Sequence, residues 1–258
     1  MRTTAIFSYK GGTGKTTTAI NLAAELAQRG KNVLLIDADG QRNTTDFFGV
    51  DAEIGAGTIY DLLTSPDPYY ENYVSPTRYV NLYLLPSSTD LATVELQAMR
   101  RAADVHINAL RDLCEAVAED GAFDFVLIDC PPSFAPQSVA ALLAADDVIV
   151  PVTLDQFAVS GLRDLTISIN GARQSNARLR IAGVLATMFD RSAVARDALL
   201  GLRQSGYPVF ETAIRDSALY ARMTFAREPL CVRFPGTNPT RDYEQLCDEY
   251  LMGGANHE

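Results

Sequence analysis

Residues 10 to 17 read Lys10-Gly11-Gly12-Thr13-Gly14-Lys15-Thr16-Thr17, directly after an apolar run and directly before a helical pattern. The glycines permit positive φ and leave the amides unshielded, so successive N–H groups can surround a phosphate at the positive end of the helix dipole. The Lys15 ammonium would reach the β and γ phosphates of a nucleotide, and the Thr16 hydroxyl would ligate Mg²⁺. The stretch therefore predicts a phosphate-binding loop between a strand and a helix.

The loop departs from the usual phosphate-loop pattern, G-x-x-x-x-G-K-[ST], at its first position, where Tyr9 replaces glycine. The next residue, Lys10, is a lysine that the usual pattern does not require. Because Lys15 already supplies the cation for one nucleotide, Lys10 can act elsewhere, for example on phosphates held by a partner subunit.

Outward from the loop, short apolar runs alternate with longer stretches of helical spacing. Runs typical of strands buried on both faces occur at 4–7, 33–36, 82–85, 123–128, 148–152 and 181–186. Helical spacing occurs at 16–29, 91–118, 137–144, 162–173 and 193–204. This order predicts an α/β fold with a mostly parallel twisted sheet and helices on both faces. Together with the phosphate loop at residues 10–17, it indicates a fold of the P-loop NTPase type. With no break in composition, residues 1–258 are expected to form a single domain.

Three aspartates follow predicted strands, at the sheet edge where ligands of such folds bind. Asp37 and Asp39 stand two residues apart where the second strand breaks, and Asp129 follows the buried run 126–128. A carboxylate at a strand end can orient a water or hold a metal through its own waters. Asp129 is expected to hold the Mg²⁺ shell through Thr16 or water, although capping a helix remains the alternative role for any one of the three.

The formal charge of −10 is unevenly distributed along the chain. Residues 1–160 hold 10 Lys+Arg and 21 Asp+Glu, residues 161–241 hold 12 arginines and 6 Asp+Glu, and residues 242–258 hold 5 acidic residues and no basic one. The overall acidity opposes binding to a phosphate backbone, whereas the local arginine surplus favours it. A basic face on the C-terminal half is one interpretation, and a chance grouping of arginine-rich surface helices is the other.

The remaining features predict an ordinary cytoplasmic protein. The N-terminus shows no leader pattern, and no apolar run approaches the length of about 18 residues needed for a membrane span. The four cysteines have wide, irregular spacing without a C-x-x-C pair, so they are expected to be reduced thiols and not metal ligands.

Three further segments complete a resemblance to the ParA/MinD family of P-loop ATPases, which carry a deviant Walker A loop. They are Asp37-Ala38-Asp39-Gly40-Gln41-Arg42-Asn43, Val126-Leu127-Ile128-Asp129-Cys130-Pro131-Pro132-Ser133 and Thr187-Met188-Phe189-Asp190. The resemblance covers nearly the whole chain. It implies ATP or ADP and Mg²⁺ as cofactors, weak Mg²⁺-dependent ATP hydrolysis, and a homodimer that forms when ATP binds.

The resemblance also implies roles for single residues. Lys10 reaches across a sandwich dimer to the partner's ATP, while Asp39 positions the attacking water with Asp37 beside it. The metal shell is expected from Thr16, Asp39 and Asp129. Nucleotide contacts are expected from Lys10, Gly11, Gly12, Thr13, Gly14, Lys15, Thr16, Thr17, Met188 and Asp190. Gly40 stands where the family usually has proline, so the segment after Asp39 is expected to be more mobile.

Among the branches of this family, the chain is most similar to DNA-segregation ATPases. Membrane-cycling relatives end in a basic amphipathic helix, whereas residues 242–252 here are acidic, so no membrane partner is expected. The segregation branch binds non-specific DNA through basic residues of the C-terminal half and is stimulated by a ParB-like adaptor, which implies a nucleoid-associated protein. The candidate DNA-binding residues are Arg191, Arg196, Arg203, Arg215, Arg222 and Arg227.

Two other functions remain open. One is an ATP-dependent ligase or synthetase similar to the dethiobiotin or cobyrinate amidating enzymes, which share the phosphate loop and would turn over ATP only with their small substrate. The other is a ParA-like positioner of a different cargo. The sequence identifies neither the cargo nor the adaptor.

Overall fold

The computed structural model describes residues 1–50, 57–67, 69–100, 105–155, 158–190 and 192–255. Its strands are β1 (Arg2–Ile6), β2 (Val33–Asp37), β3 (Ser75–Pro76), β4 (Leu82–Leu85), β5 (Phe125–Asp129), β6 (Asp147–Thr153) and β7 (Arg180–Thr187). Its helices are α1 (Lys15–Gln28), α2 (Asn43–Phe48), α3 (Ile59–Thr64), α4 (Leu91–Arg100), α5 (Ala109–Asp120), α6 (Pro136–Ala144), α7 (Ala158–Arg173), α8 (Ala193–Arg203), α9 (Leu219–Ala226), α10 (Leu230–Arg233) and α11 (Asn238–Leu251), with a short 3₁₀ turn at Tyr70–Asn72.

The strands form one seven-stranded sheet in the order β3-β4-β2-β5-β1-β6-β7. All neighbouring pairs are parallel except β3 with β4. Every residue of β2 is buried, as the apolar run Val33–Asp37 requires of a strand covered on both faces. The predicted α/β fold with a mostly parallel sheet is confirmed.

Two apolar clusters lie on opposite faces of the sheet. One contains buried side chains of α3, α5, α6 and α7, and the other contains buried side chains of α1, α10 and α11. The order of strands reverses around β1, which lies between β5 and β6. In a doubly wound sheet this reversal opens a crevice at the carboxyl ends of the strands, so the loop after β1 occupies the position where ligands bind.

The predicted helix at 91–118 is wrong in its continuity. Residues 105–108 lie outside any helix and separate α4 from α5, while residues 101–104 lie outside the described part of the chain. The His106 amide donates to the carbonyl of Leu63 at 2.9 Å, and the Ala109 amide donates to the carbonyl of His106 at 2.9 Å. A contact with the end of α3 thus replaces a helical hydrogen bond, which apolar spacing alone does not reveal.

The C-terminal acidic stretch forms most of α11, a helix that the apolar pattern did not predict. Tyr243, Leu246 and Tyr250 are buried against the α1 side of the sheet. At its end, the Arg2 guanidinium donates to the carbonyl of Tyr250 at 2.6 Å and to the carboxylate of Asp147 at 2.5 Å. The charges of this segment are divided between the buried Asp242, which pairs with Arg215, and residues nearer the outer face of the helix such as the exposed Asp248. Within the described ranges, no helix combines the length and apolar character needed to cross a membrane.

Candidate nucleotide-binding site

The loop between β1 and α1 has the backbone shape that its glycines predict. Gly12 and Gly14 have φ of 74° and 81°, a left-handed conformation that side chains with a Cβ rarely adopt. The hydroxyls of Ser8 and Thr13 are hydrogen-bonded at 2.7 Å across the loop. Gly14 directly precedes α1, so the unpaired amides at the start of that helix face the loop. This arrangement suits an anion.

Lys15 is the buried cation of the loop. Its side chain is only 7% exposed, and its ammonium donates to the carbonyl of Lys10 at 3.2 Å. Burial lowers the pKa of Lys15, and the nearby charges of Asp129 and Asp39 oppose this effect. A buried cation is stabilised by an anion held against it, so the lysine favours phosphate binding in the loop.

Asp37 and Asp129 end two neighbouring strands and pair with each other in register. Asp37 is fully buried and accepts hydrogen bonds from the Thr45 amide at 2.8 Å, the Thr45 hydroxyl at 2.7 Å and the Asp39 amide at 3.2 Å. Burial, followed by the charge of Asp129, raises the pKa of Asp37. These contacts anchor the segment after β2 and the first turn of α2.

Asp129 has one carboxylate oxygen engaged and one unpaired. Its Oδ2 accepts a hydrogen bond from the Thr44 hydroxyl at 2.8 Å, whereas its buried Oδ1 has no hydrogen-bond partner. Burial raises the pKa of Asp129, and the hydroxyls of Thr44 and Thr16 lower it. An unpaired buried carboxylate oxygen is costly unless a water or metal completes it.

The donor set around Asp129 fits Mg²⁺ bound together with a nucleotide. Among the described residues, no group of three or more His, Cys, Asp or Glu could hold a metal ion. Mg²⁺ usually takes one or two carboxylates, a hydroxyl, waters and substrate phosphates instead of an all-protein cage. Thr16 and Asp129 are suited to that role, and half-exposed Asp39 lies near enough to influence the charge of Lys15.

Asp39 is the partly exposed carboxylate next to the buried Asp37 and Asp129. Its Oδ1 accepts a hydrogen bond from the Gln41 amide at 2.9 Å, and its carbonyl accepts one from the Ser87 hydroxyl at 2.7 Å. Gly40, which follows it, would meet only Leu91 at 3.5 Å if it carried a Cβ, an ordinary contact. The carboxylate is thus held by its own loop while remaining accessible to water.

Lys10 lies apart from the phosphate loop's interior. Its ammonium forms an ion pair with Asp155 and donates to the Thr153 hydroxyl at 3.1 Å, at the end of β6. Its side chain is 57% exposed. Asp155 was not among the residues that the sequence singled out, because an aspartate 145 positions away gives no local signal.

The remaining predicted nucleotide contacts lie at the end of β7. Met188 is half exposed and has φ of 54°, and Asp190 accepts a hydrogen bond from the Ser192 amide at 2.9 Å. Between them and the loop stands Thr187, whose hydroxyl donates to the carbonyls of Thr13 at 2.9 Å and Val152 at 3.0 Å. Thr187 therefore links the ends of β6 and β7 to the phosphate loop and stabilises that loop, a role that sequence analysis missed.

Thr16 and Thr17 line a cleft of about 390 Å³ that lies between the start of α1, α2 and α9. Its other walls come from Ile20, Asn43, Asp46, Phe47, Met223, Thr224 and Arg227. The start of the phosphate-loop helix is consequently adjacent to α9 in the arginine-rich part of the chain.

The candidate DNA-binding arginines fall into two groups. Arg203 pairs with Glu211 at 3.0 Å, and Arg215 forms a two-pronged pair with the buried Asp242, with distances of 2.7 and 2.6 Å. Arg196, Arg222 and Arg227 are exposed and have no ion pair with any described carboxylate. Arg191 lies outside the described residues.

A glycine loop at the end of a central strand, a buried lysine on the following helix and a carboxylate on the adjacent strand define a P-loop nucleotide-binding protein. Comparison with known proteins agrees with this class. A family profile described as "AAA domain" matches residues 1–181. The chain is 38% identical over 256 residues to the chromosome-partitioning ATPase Soj of Thermus thermophilus, covering 97% of this chain and 96% of that protein. The chain therefore belongs to the ParA/MinD family of P-loop ATPases.

Two further similarities bear on its place in that family. The chain is 43% identical over 192 residues to the chromosome partitioning protein ParA of Caulobacter vibrioides, covering 74% of this chain and 71% of that protein. The structure of cobyrinic acid a,c-diamide synthase from Mycobacterium smegmatis with bound ADP and magnesium matches with a TM-score of 0.80 and 28% identity, covering 100% of this chain and 99% of that one. Identity is thus higher to the partitioning proteins.

Proposed function

We propose that this protein is a ParA-like ATPase for DNA segregation, in which ATP closes a homodimer, the dimer binds DNA non-specifically, and a ParB-like adaptor stimulates hydrolysis. The observation that carries the proposal is Lys10, a second lysine in the phosphate loop. Its ammonium is exposed and bound at Asp155, away from the position of Lys15. A cation placed there is available for phosphates of another subunit.

Within one subunit, the site residues have separate tasks. The amides from Gly11 to Thr17 and the Lys15 ammonium hold the β and γ phosphates. Thr16 and Asp129 would hold Mg²⁺, which neutralises charge on the phosphate oxygens when bound. Asp39, accessible to water, orients the attacking water in line with the γ phosphate. Asp37 positions Asp39 by accepting a hydrogen bond from its amide at 3.2 Å.

The base of the nucleotide is expected to lie beyond the α-phosphate, near Met188 and Asp190. Hydrolysis removes the γ phosphate and with it the contact that Lys10 makes across the dimer. The dimer then separates, so the nucleotide state changes the population of the DNA-binding form.

The proposed DNA surface uses the exposed arginines without carboxylate partners, Arg196, Arg222 and Arg227. The two paired candidates, Arg203 and Arg215, contribute less because their guanidinium groups already bind carboxylates. Arg191 remains a candidate on the strength of the sequence. Association with the nucleoid would follow from this surface.

A Lys15→Ala variant tests the switch. We expect wild-type protein with ATP and Mg²⁺ to bind duplex DNA with an affinity that falls steeply with salt. The reason is that arginines bound to phosphates displace the counterions condensed on the DNA. The variant should lose at least tenfold in affinity under the same conditions, measured by fluorescence anisotropy. Equal binding by the two proteins would contradict an ATP-dependent switch.

A Lys10→Ala variant tests the role across the dimer. It should still bind a fluorescent ATP analogue within about threefold of the wild-type affinity, since Lys15 and the loop amides are intact. Size-exclusion chromatography with ATP should show a monomer, whereas wild type elutes as a dimer. An intact dimer of the variant would remove the role of Lys10 in the partner site.

The second candidate is an ATP-dependent amidating synthetase, favoured by the structural similarity to the diamide synthase. ATPase assays separate the two functions. Stimulation by DNA together with a ParB-like protein supports the segregation ATPase, whereas turnover that requires a small carboxylic acid and an amine donor supports the synthetase. A ParA-like positioner of another cargo would keep the ATP and DNA dependence and differ only in its adaptor.

A further inference from the structure

Phe225 is the most exposed large apolar side chain in the described part of the chain, at 94%. It lies in α9, a helix of eight residues whose buried contact with the core is Met223. Packing therefore does not explain a phenylalanine at this position. Polar or charged residues would hold an exposed position of such a helix at lower cost, since exposing an aromatic ring to water is unfavourable.

Two arginines lie close to Phe225 along the chain, Arg222 within α9 and Arg227 at its end. Arg222 precedes Phe225 by three residues, which places both on one side of the helix. Its guanidinium lies over the ring of Phe234 with 5.0 Å to the centroid. Arg227, which ends the helix with φ of 56°, is also exposed, and the Arg78 guanidinium donates to its carbonyl. Arg222 thus shares a side of the helix with the exposed ring, and Arg227 follows at the end of the same helix.

A protein partner fits this surface poorly. A phenylalanine side chain buries roughly 150–250 Å², whereas a stable protein interface needs about 800 Å² on each side. The exposed residues beside the ring, Ala221 and Thr224, add little apolar area. An isolated ring with Arg222 on its side of the helix and Arg227 at the helix end instead matches an anionic ligand with flat apolar surfaces, and duplex DNA offers phosphates and base faces together.

We propose that Phe225 inserts at a base step of duplex DNA while Arg222 and Arg227 bind the flanking phosphates. This inference rests on the proposed function and adds to it an apolar contact with the bases. Non-specific binding is retained, because every base step offers a stacking face and the ring forms no hydrogen bonds with base edges.

The nucleotide site connects to this helix through Asn21. This buried side chain on α1 donates to the Thr17 carbonyl at 2.8 Å and contacts the Met223 sulfur at 3.3 Å, while its Oδ1 accepts a hydrogen bond from the Leu230 amide at 3.0 Å. The carbonyl that it contacts belongs to the phosphate loop's own helix. The position of α9 is thereby tied to the loop that holds the phosphates.

The test compares Phe225→Ala, Phe225→Trp and the matched control Met252→Ala, which truncates another exposed apolar side chain, 85% exposed and outside α9. Duplex DNA affinity is measured with a slowly hydrolysed ATP analogue and Mg²⁺ at several salt concentrations. Phe225→Ala should lose roughly tenfold in affinity with an unchanged salt slope, since stacking carries no counterion release. Phe225→Trp and the control should bind like wild type.

Two further measurements distinguish insertion from a structural effect. Arg222→Ala and Arg227→Ala should each reduce the salt slope by about one, because each removes a phosphate contact. A duplex containing 2-aminopurine should brighten when wild type or Phe225→Trp binds, because its bases unstack, and should not brighten with Phe225→Ala.

The outcomes separate the inference from the function beneath it. If wild type binds duplex DNA with the ATP analogue and Phe225→Ala binds equally well, insertion is wrong and the segregation ATPase stands. Loss of ATP-dependent dimerisation in Phe225→Ala would also overturn insertion, since the ring would then belong to a protein interface. If wild type itself does not bind duplex DNA, the proposed function fails, and insertion fails with it.

Discussion

The two buried aspartates at the ends of β2 and β5 differ in how fully the surrounding residues satisfy their carboxylates. Asp37 and Asp129 are paired in register on adjacent strands, and burial raises the pKa of both. Asp37 accepts three hydrogen bonds, from the Thr45 amide, the Thr45 hydroxyl and the Asp39 amide, whereas Oδ1 of Asp129 remains unpaired. The hydrogen bonds of Asp37 come from the fold itself, whereas the free oxygen of Asp129 is available to the Mg²⁺ shell of the proposed function.

Glu25 on α1 is buried without belonging to the nucleotide site. Burial, together with the charges of Glu244 and Asp248, raises its pKa from 4.5 to about 7, while Arg29 opposes the shift. A carboxyl whose folded pKa is raised contributes full stability below its unfolded pKa, and this contribution is lost as pH rises through the folded value. The free energy of unfolding should therefore fall between about pH 4.5 and pH 7 because of this group.

Replacing this glutamate by glutamine removes the titration. Glu25→Gln should match the wild type near pH 5 and exceed its free energy of unfolding by about 2 kcal/mol at pH 8, measured by urea denaturation. The exposed Glu119→Gln on α5 serves as the control and should show no such difference between the two pH values. If the free energy of unfolding of Glu25→Gln exceeded that of the wild type by less at pH 8 than at pH 5, the raised pKa of Glu25 would be contradicted.

Among the elements, β7 depends on a close approach at Gly183. The pairing of β6 with β7 shifts register between Val148 and Ile149, and Ile149 then pairs with Gly183. A Cβ at Gly183 would lie 2.6 Å from the ring of Phe210, which is completely buried. The Phe210 amide donates to the Val184 carbonyl at 3.0 Å, so the ring cannot retreat without disturbing the backbone.

Gly183→Ala is therefore expected to destabilise the protein by about 1–3 kcal/mol, the usual cost of overpacking a core. The control is Gly171→Ala on α7, where a Cβ meets nothing within 4 Å. In a helix interior that change should stabilise the protein by about 0.5–1 kcal/mol. Chemical denaturation measures both, and unfolding of the two variants at the same denaturant concentration would rule out the close approach.

The elements also show how far sequence reasoning extends. Six of the seven strands and α1 could be predicted because their apolar runs are continuous and the glycine loop marks one boundary. The two-residue strand β3, Ser75–Pro76, was missed because it contains no apolar run. The break before α5 could not be predicted, because it depends on a hydrogen bond between His106 and Leu63. The same limit applies to the site. The loop and Asp129 follow local patterns, whereas Thr187 and Asp155 act through contacts between residues far apart in the chain.

At the scale of the whole molecule, ion pairs as well as position in the sequence decide which charges remain free at the surface. The acidic C-terminal segment lies on α11, where Asp242 binds Arg215 and Asp248 binds Arg29 at 2.6 Å. Of these two arginines, Arg215 belongs to the surplus of residues 161–241, so its pair with Asp242 neutralises part of that surplus. What remains exposed and unpaired among the described arginines includes Arg222 and Arg227 beside Phe225, so the effective basic surface is narrower than the count of charges indicates.

Lys10 has two alternative binding positions, one within the monomer and one in the proposed dimer. In the monomer its ammonium is bound by Asp155 and Thr153, whereas the proposed dimer requires it at the partner's phosphates. The same cation cannot occupy both places. The ion pair within the monomer therefore opposes dimer formation by its own strength, which for a partly exposed pair is about 0–1 kcal/mol.

Asp155→Asn weakens that ion pair without touching the phosphate loop. The variant should form dimers at an ATP concentration up to about fivefold lower than the wild type, the ratio that corresponds to 1 kcal/mol. Analytical ultracentrifugation across a titration of a slowly hydrolysed ATP analogue measures the midpoint. Asp164→Asn, an equal change of charge at an exposed position of α7, should leave the midpoint unchanged. A higher midpoint for Asp155→Asn would mean that Asp155 supports the dimer, and Lys10 would then be held in place for its partner and not withheld from it.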